Sequence, residues 1–521
     1  MSEKRTFLKH TLIFGIGGTL AQIVPLILFP LYTNYLTPEE YGVLDIIIRV
    51  SEIINTVFLI GGIRLAVMTF YKQAANEEER RHIAITVSLL LWFAVTVSIV
   101  MSVYFVNIIE IFFKTGDTRL LAFGLITVLL EPFVGVPMTL LQARLESTRF
   151  VLTNLLILLL RLILCIIFVA GFRFGVWGVL YAQMLINILA GVYLNFQEFR
   201  VSSLRPDMSK WKEIFFFALP LVPNGILSFI FYMSDRFFLL HFGPYPTAAA
   251  AMGACGIYAL ADRLASFTLS LGASPLTVVW KVKMYDVYPR TDAPFVFGNF
   301  IFRLLCVQMF FALGVSVFAN EVVRTVCDQT YQEAAVLVPV FAAIICITLL
   351  GDFMFNTFYI TRHTNYNFIC NLTVVPFMLA LVYFLVPRWG VIGAAAGLLI
   401  GRCLLTAVIF AVTQRFFKIR YPFGKLTVLI GITAICFVLS IYCGQGIELN
   451  TMPADVYNSL SKWQKLADAF GRVHALPFCL KGTVLGLWCA AVWFSGIVSR
   501  DDKDFILQML RKVVRKTGVL R

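Results

Sequence analysis

Apolar stretches long enough to cross a bilayer as a helix, about 20 residues, follow one another along almost the whole chain, and short segments between them hold most of the charge. Fourteen such stretches are expected, at 11–33, 42–69, 83–106, 119–141, 151–171, 177–197, 213–241, 253–280, 294–318, 334–360, 368–386, 391–413, 425–443 and 475–497. The fold expected is therefore an all-α polytopic membrane protein with little chain left for a soluble domain. The second stretch breaks its apolar pattern in a regular way: Asp45, Arg49, Glu52 and Thr56 stand four, three and four residues apart and make one polar stripe on a helix. That stripe is expected to line a wet cavity.

Two longer-range patterns point to a duplication. YGVLDIIIR at 41–49 pairs with CGIYALADR at 255–263, matching Gly42 and Arg49 to Gly256 and Arg263. FRFGVWGVL at 172–180 pairs with PRWGVIGAA at 387–395, matching Arg173, Gly175 and Gly178 to Arg388, Gly390 and Gly393 at nearly the same offset. Each copy holds six spans, an even number, so both have the same orientation and are related by an axis along the membrane normal. The expected organisation is an N-lobe at 1–212, a C-lobe at 213–424, two extra spans with an intervening outer loop 444–474 within 425–500, and a tail at 501–521.

Composition strengthens the membrane reading. Of 521 residues, 60% are hydrophobic and 14% charged, with a mean hydropathy of +0.85, whereas soluble domains are about one quarter charged. The formal charge of +14 sits in short inter-span segments instead of one stripe, which argues for membrane orientation and against nucleic acid. With the N-terminus in the cytoplasm, 27 of the 43 Lys and Arg fall in cytoplasmic segments, so both termini are expected inside. Lys4, Arg5 and Lys9 precede an apolar run that contains Pro25 and Pro30 and lacks a small-residue cleavage site, as an uncleaved first span would. Val456, Leu460, Trp463, Leu466 and Phe470 in the outer loop, and the apolar and basic positions of 501–521, predict interfacial helices.

Eleven cysteines without a CxxC pair and five scattered histidines give no metal site, and no phosphate-binding glycine loop of the GxxxxGK[ST] type is present. No cofactor and no enzymatic activity are expected. The chemistry lies in charges within spans: Arg49, Arg64, Arg161, Arg236, Arg263, Arg303 and Arg402, with Asp45, Glu52, Glu131, Asp235, Asp262 and Asp352. A charge at a helix centre costs roughly 2.5 to 3.5 kcal/mol on insertion scales, so these groups should face a cavity or one another. Adjacent residues point about 100° apart on a helix, which predicts that Asp235 does not neutralise Arg236, nor Asp262 Arg263. Arg64 is expected to reach the headgroups.

The repeat sets Arg49 and Arg263 at matched depth on opposite lobes. Guanidinium binds phosphate oxygens bidentately and keeps its charge, so this pair is the leading candidate anion site, extended by Arg161 and Arg402, with Arg236 and Arg303 as further candidates. Coupling to a proton or sodium gradient would use an acid such as Glu52, Glu131 or Asp352. Pro25 and Pro30 in the first span have counterparts in Pro220 and Pro223 of the seventh, and are hinge candidates. Gly393, Gly397 and Gly401 form a small-residue face expected to pack closely.

The segments FGIGGTLAQIVPLILFPLYTNYLTPEEYGVLD, ALPLVPNGILSFIFYMSDRFFLLHFG and GIYALADRLA resemble the lipid-linked oligosaccharide flippases of the polysaccharide transporter family, within the superfamily of multidrug and oligosaccharidyl-lipid exporters. The resemblance implies two six-helix lobes around a central cavity in a bacterial inner membrane. It further implies that a polyprenyl-pyrophosphate oligosaccharide destined for a cell-surface polysaccharide such as O-antigen crosses by alternating access, while its tail stays among bilayer lipids. A polysaccharide polymerase or glycosyltransferases would be partners. Two rivals remain at this stage. A multidrug cation antiporter of the same fold would want an acidic cavity, and a membrane-embedded polymerase or ligase would want more outer chain.

Overall fold

The computed structural model describes residues 23–496, apart from 59, 75, 145, 202–207, 220, 362, 364 and 446–474. Pro220, nearly all of the outer loop and the tail 501–521 lie outside the described residues. Those described are helical, with no strand among them.

The N-lobe opens with Ile23–Tyr35 as the described part of the first span. The second span starts sharply at Pro38, where Thr37 and Glu40 form a capping box and proline takes the first helical turn. It runs as Pro38–Val57, breaks, and resumes as Ile60–Gln73. The third span is Glu77–Tyr104, capped by Asn76 with three glutamates in its first turn, which suits the positive end of the helix dipole. A short helix, Val106–Phe113, leads to the fourth span, Thr118–Leu129 and Pro132–Ala143, with Pro132 in the first turn of the second half, where its missing N–H has no helical acceptor to lose. The fifth span is Ser147–Cys165 ending in a π turn at Ile166–Gly171, and the sixth is Gly175–Val201.

The C-lobe repeats this order. Its seventh span is Met208–Ala218 followed by Leu221–Phe242, its eighth Ala248–Leu271 followed by Ser274–Val287, its ninth Ala293–Val326 and its tenth Ala334–Ile360. The eleventh and twelfth lie within Asn365–Phe416, divided at Gly390. Phe423–Gln445 and Ala475–Phe494 are the thirteenth and fourteenth. Trp488 donates to Thr433 Oγ1 at 2.9 Å, which joins these last two, and a buried ion pair from Lys481 to Glu321 ties them to the ninth span.

Three features show the duplication in the backbone. The second span breaks at Phe58 and the eighth at Gly272, separated by the same offset as Arg49 and Arg263. Gly175 and Gly390, paired in the sequence, both have positive φ, +56° and +51°, a conformation open to glycine and strained for other residues. Gly42 and Gly256 meet face to face: a Cβ on Gly42 would lie 2.2 Å from the Met252 carbonyl, and one on Gly256 1.8 Å from that of Pro38. The lobes therefore touch backbone to backbone where the repeat placed its first glycine. The small-residue face also packs closely, since a Cβ on Gly393, Gly397 or Gly401 would press on Leu385, Val382 or Met378 of the eleventh span.

The seventh span divides its packing. Ile214 and Ala218 join an apolar cluster with Ile63, Val67, Val87 and Val95 of the second and third spans, while Phe231 and Leu239 belong to the main core. Its second half thus carries Asp235 and Arg236 to the seam between the lobes.

Candidate functional site

Beneath the Gly42–Gly256 contact lies a cavity of about 370 Å³ between the first, second, fourth, fifth, sixth and eighth spans. Asp45, Arg49 and Glu52 line it, as their stripe predicts, and Glu131, Arg161, Asp262 and Arg263 line it with them. Gln183, Ser266, Tyr32 and Tyr41 add neutral polar groups. Thr56, the last member of the stripe, lies instead against Gly225 of the seventh span.

Every cavity carboxylate is in an ion pair. Arg49 reaches Asp45 at 3.7 Å, Glu52 at 3.3 Å and Asp262 at 3.4 Å. Arg236 reaches Asp45 at 3.1 Å and Asp262 at 3.2 Å, so both aspartates are shared between the two arginines. Glu131 pairs with Arg64 at 3.7 Å. Gly135 leaves space for the Arg64 guanidinium to lie beside the fourth span, where Glu131 stands at the N-cap of the second half-helix.

Two cavity cations stand apart from this network. Neither Arg161 nor Arg263 forms an ion pair among the described residues, and Arg161 Nε is buried without a hydrogen-bond partner. Arg263 is exposed to the cavity, with no acid at the helical positions that flank Arg49.

Arg236 has a different environment. Its side chain is 2% exposed, and besides Asp45 and Asp262 it pairs with Asp235 at 2.9 Å and lies over the Tyr258 ring at 4.9 Å. The expected failure of adjacent residues to pair is overturned here: Asp235 Oδ1 accepts the Arg236 backbone N–H at 2.7 Å, and the long guanidinium stem folds back to the other oxygen. Tyr258 donates to that same oxygen at 2.6 Å. Asp262 and Arg263, by contrast, make no such pair.

The remaining candidates lie elsewhere. Arg402 is buried on the twelfth span, stacked on Phe231 and Tyr232 at 4.3 and 4.2 Å, outside the cavity lining. Arg303 and Asp352 are exposed on the ninth and tenth spans and also outside it. Pro30 lies within the first span, Pro25 is in the same helix, and Pro223 is in the first turn of Leu221–Phe242. The sequence reading missed two buried pairs: Arg144 with Glu198, bidentate at 3.0 and 2.6 Å and supported by Tyr71, and Lys481 with Glu321. Each joins residues far apart in the chain, so no local spacing signals it.

A sequence model of the family described as polysaccharide biosynthesis protein matches residues 7–280, more than half of the chain. The chain belongs to that family. No curated protein matches it by sequence. Among solved structures it resembles the lipid II flippase MurJ in an inward closed conformation, with a TM-score of 0.67 at 13% identity, covering 94% of this chain and all of that one. It also resembles an inward-facing multidrug resistance MATE family transporter of the MOP superfamily, with a TM-score of 0.62 at 15% identity over 76% of this chain and 94% of that one. A third likeness is to a MOP superfamily transporter from Pyrococcus furiosus described as having reversed binding-pocket polarity, with a TM-score of 0.53 at 15% identity over 78% of this chain and 95% of that one. These likenesses show the fold: a multi-pass membrane protein of two six-helix lobes, with two further spans beyond them.

Proposed function

We propose that the protein is a flippase for polyprenyl-pyrophosphate-linked oligosaccharide, carrying it from the cytoplasmic to the outer face of a bacterial inner membrane for cell-surface polysaccharide synthesis. The observation that carries this reading is the pair of guanidiniums in the cavity that have no ion-pair partner among the described residues. The cavity's acids are all paired, while Arg161 and Arg263 face it without a carboxylate. The lining carries four carboxylates and three guanidiniums, so the reading rests on placement and not on net charge: a guanidinium with no carboxylate beside it is open to bidentate hydrogen bonds from a diphosphate.

The family match and the MurJ-like fold support the lipid-linked substrate class. The diphosphate would sit between Arg161 of the N-lobe and Arg263 of the C-lobe, with Gln183, Tyr41 and Ser266 offering hydrogen bonds to sugar hydroxyls. An anion gripped from both lobes is held in common as they rock, which is what alternating access requires. In proteoliposomes, the doubly substituted Arg161→Ala, Arg263→Ala protein should lose flipping of a lipid-linked oligosaccharide while inserting in normal amount. Undiminished flipping would leave both arginines as structural groups and remove the anion-site reading.

A further inference from the structure

The ion pairs at the top of the cavity cross the seam between the lobes. Arg49 and Asp45 stand on the second span, Arg236 on the seventh and Asp262 on the eighth, so Arg236–Asp45 and Arg49–Asp262 each join one lobe to the other. The two bridges are unlike. Arg236 is dry, 2% exposed, and held by three carboxylates at 2.9 to 3.2 Å. Arg49 and Asp262 are 26% and 24% exposed, meet at 3.4 Å, and both line the cavity. One bridge is built into the seam, and the other is open to whatever enters the cavity.

We propose that Asp262 occupies Arg49 in place of the substrate's diphosphate, and that substrate binding opens the lobes at the Gly42–Gly256 end by displacing it. This rests on the diphosphate reading above and adds a coupling device to it. A phosphate group presents two or more oxygens to one guanidinium and carries more charge than a carboxylate, so it competes well against a single bond at 3.4 Å. Once Arg49 turns to the ligand, Asp262 keeps only Arg236, which stands on its own lobe, and the charged tie between the second and eighth spans is lost.

The other ties at this end are neutral: Asn34 donates to the Val326 carbonyl at 2.6 Å, Tyr331 to that of Leu36 at 3.1 Å, and the glycines touch. An anion has no charge-based means to displace them, which singles out the Arg49–Asp262 bridge as the ligand-sensitive one. Arg263, one residue beyond Asp262, draws the diphosphate to this place.

The structure supplies a gauge of closure at the same end. A Cβ on Gly253 would lie 3.9 Å from that of Pro38, inside the range for a disulfide. In the full-length protein with its 11 native cysteines replaced by alanine, Pro38→Cys with Gly253→Cys should oxidise readily in nanodiscs without ligand, followed by intact mass after thiol alkylation. Adding Asp262→Asn should slow that oxidation by about tenfold, as expected for loss of one charged hydrogen bond across the seam. Arg49→Gln, which removes the same bridge from its other side, is the second variant should Asp262→Asn insert poorly, and it should slow oxidation as well.

Adding a polyprenyl pyrophosphate should slow oxidation in the parent and have little further effect with Asp262→Asn. Oxidation as fast with Asp262→Asn as in the parent would overturn the latch without touching the proposed substrate. Ligand that binds by native mass spectrometry yet leaves the oxidation rate unchanged would overturn the coupling. Failure of the ligand to bind would overturn the diphosphate reading and the displacement step with it, while the ligand-free comparison would still decide whether Asp262 holds the lobes together.

Discussion

Arg49 and Arg263 are counterparts in the repeat, seven residues beyond Gly42 and Gly256, which touch one another across the seam. Both line one cavity, yet Arg49 is enclosed by Asp45, Glu52 and Asp262 while Arg263 has no carboxylate partner among the described residues. The cause is local. Where Arg49 has an acid four residues before it and another three after, Arg263 has Ala259 and Ser266. The repeat accounts for the matched positions of the two guanidiniums, and divergence at neighbouring helix positions accounts for their different surroundings: one joins the lobes, and the other has no carboxylate beside it among the described residues. The same contrast separates Arg161, unpaired in the cavity, from Arg236, buried among three aspartates.

The comparison breaks most visibly at Arg263 itself. Arg263→Ala should weaken binding of a lipid-linked diphosphate by roughly 10-fold to 150-fold, the range for one charged hydrogen bond or a bidentate pair. Arg263→Lys should restore part of it, since the ammonium keeps the charge and loses the fork. Equilibrium binding in nanodiscs measures both, and equal affinity for alanine and wild type would place Arg263 outside the site.

A smaller effect is expected from making the two arginines alike. Ser266→Glu gives Arg263 the acid that Arg49 has at the same spacing, and pairing with it should lower diphosphate affinity by about twofold to threefold through competition for the guanidinium and repulsion of the ligand. Affinity left unchanged would mean that local acids do not decide which arginine binds. The reverse change is expected to be slight. Glu52→Gln removes an i, i+3 pair to a half-exposed carboxylate, worth about 0.3 to 0.5 kcal/mol, so it should tighten binding by roughly twofold; tenfold tightening would assign Glu52 a larger hold on Arg49 than its geometry supports.

How far the sequence carried this account differs between its levels. The spans were legible because hydropathy alone marks them, and the repeat was legible because Gly42, Gly175 and their partners do backbone work that a side chain would obstruct. The breaks at Phe58 and Gly272 were not, since the hydrophobic run continues across them. The stripe on the second span located the cavity. Pairing within it was harder to see: Asp235 and Arg236 looked mismatched by helix geometry, and only the long, folded-back side chain with Tyr258 beside it reconciles them. Arg402 illustrates the opposite limit, because a mid-span arginine reads as a cavity cation until the rings of Phe231 and Tyr232 are seen over it. Arg144–Glu198 and Lys481–Glu321 needed the tertiary structure outright.

The most direct test of the central claim, that unpaired guanidiniums make this an anion-carrying cavity, is a paired titration of the wild-type protein in nanodiscs with a polyprenyl pyrophosphate and with a lipophilic organic cation. The account predicts that the diphosphate binds, that the cation neither binds the cavity nor competes, and that Arg161→Ala with Arg263→Ala abolishes the diphosphate signal. Cation binding that displaces the diphosphate, or diphosphate binding that survives both substitutions, would contradict it.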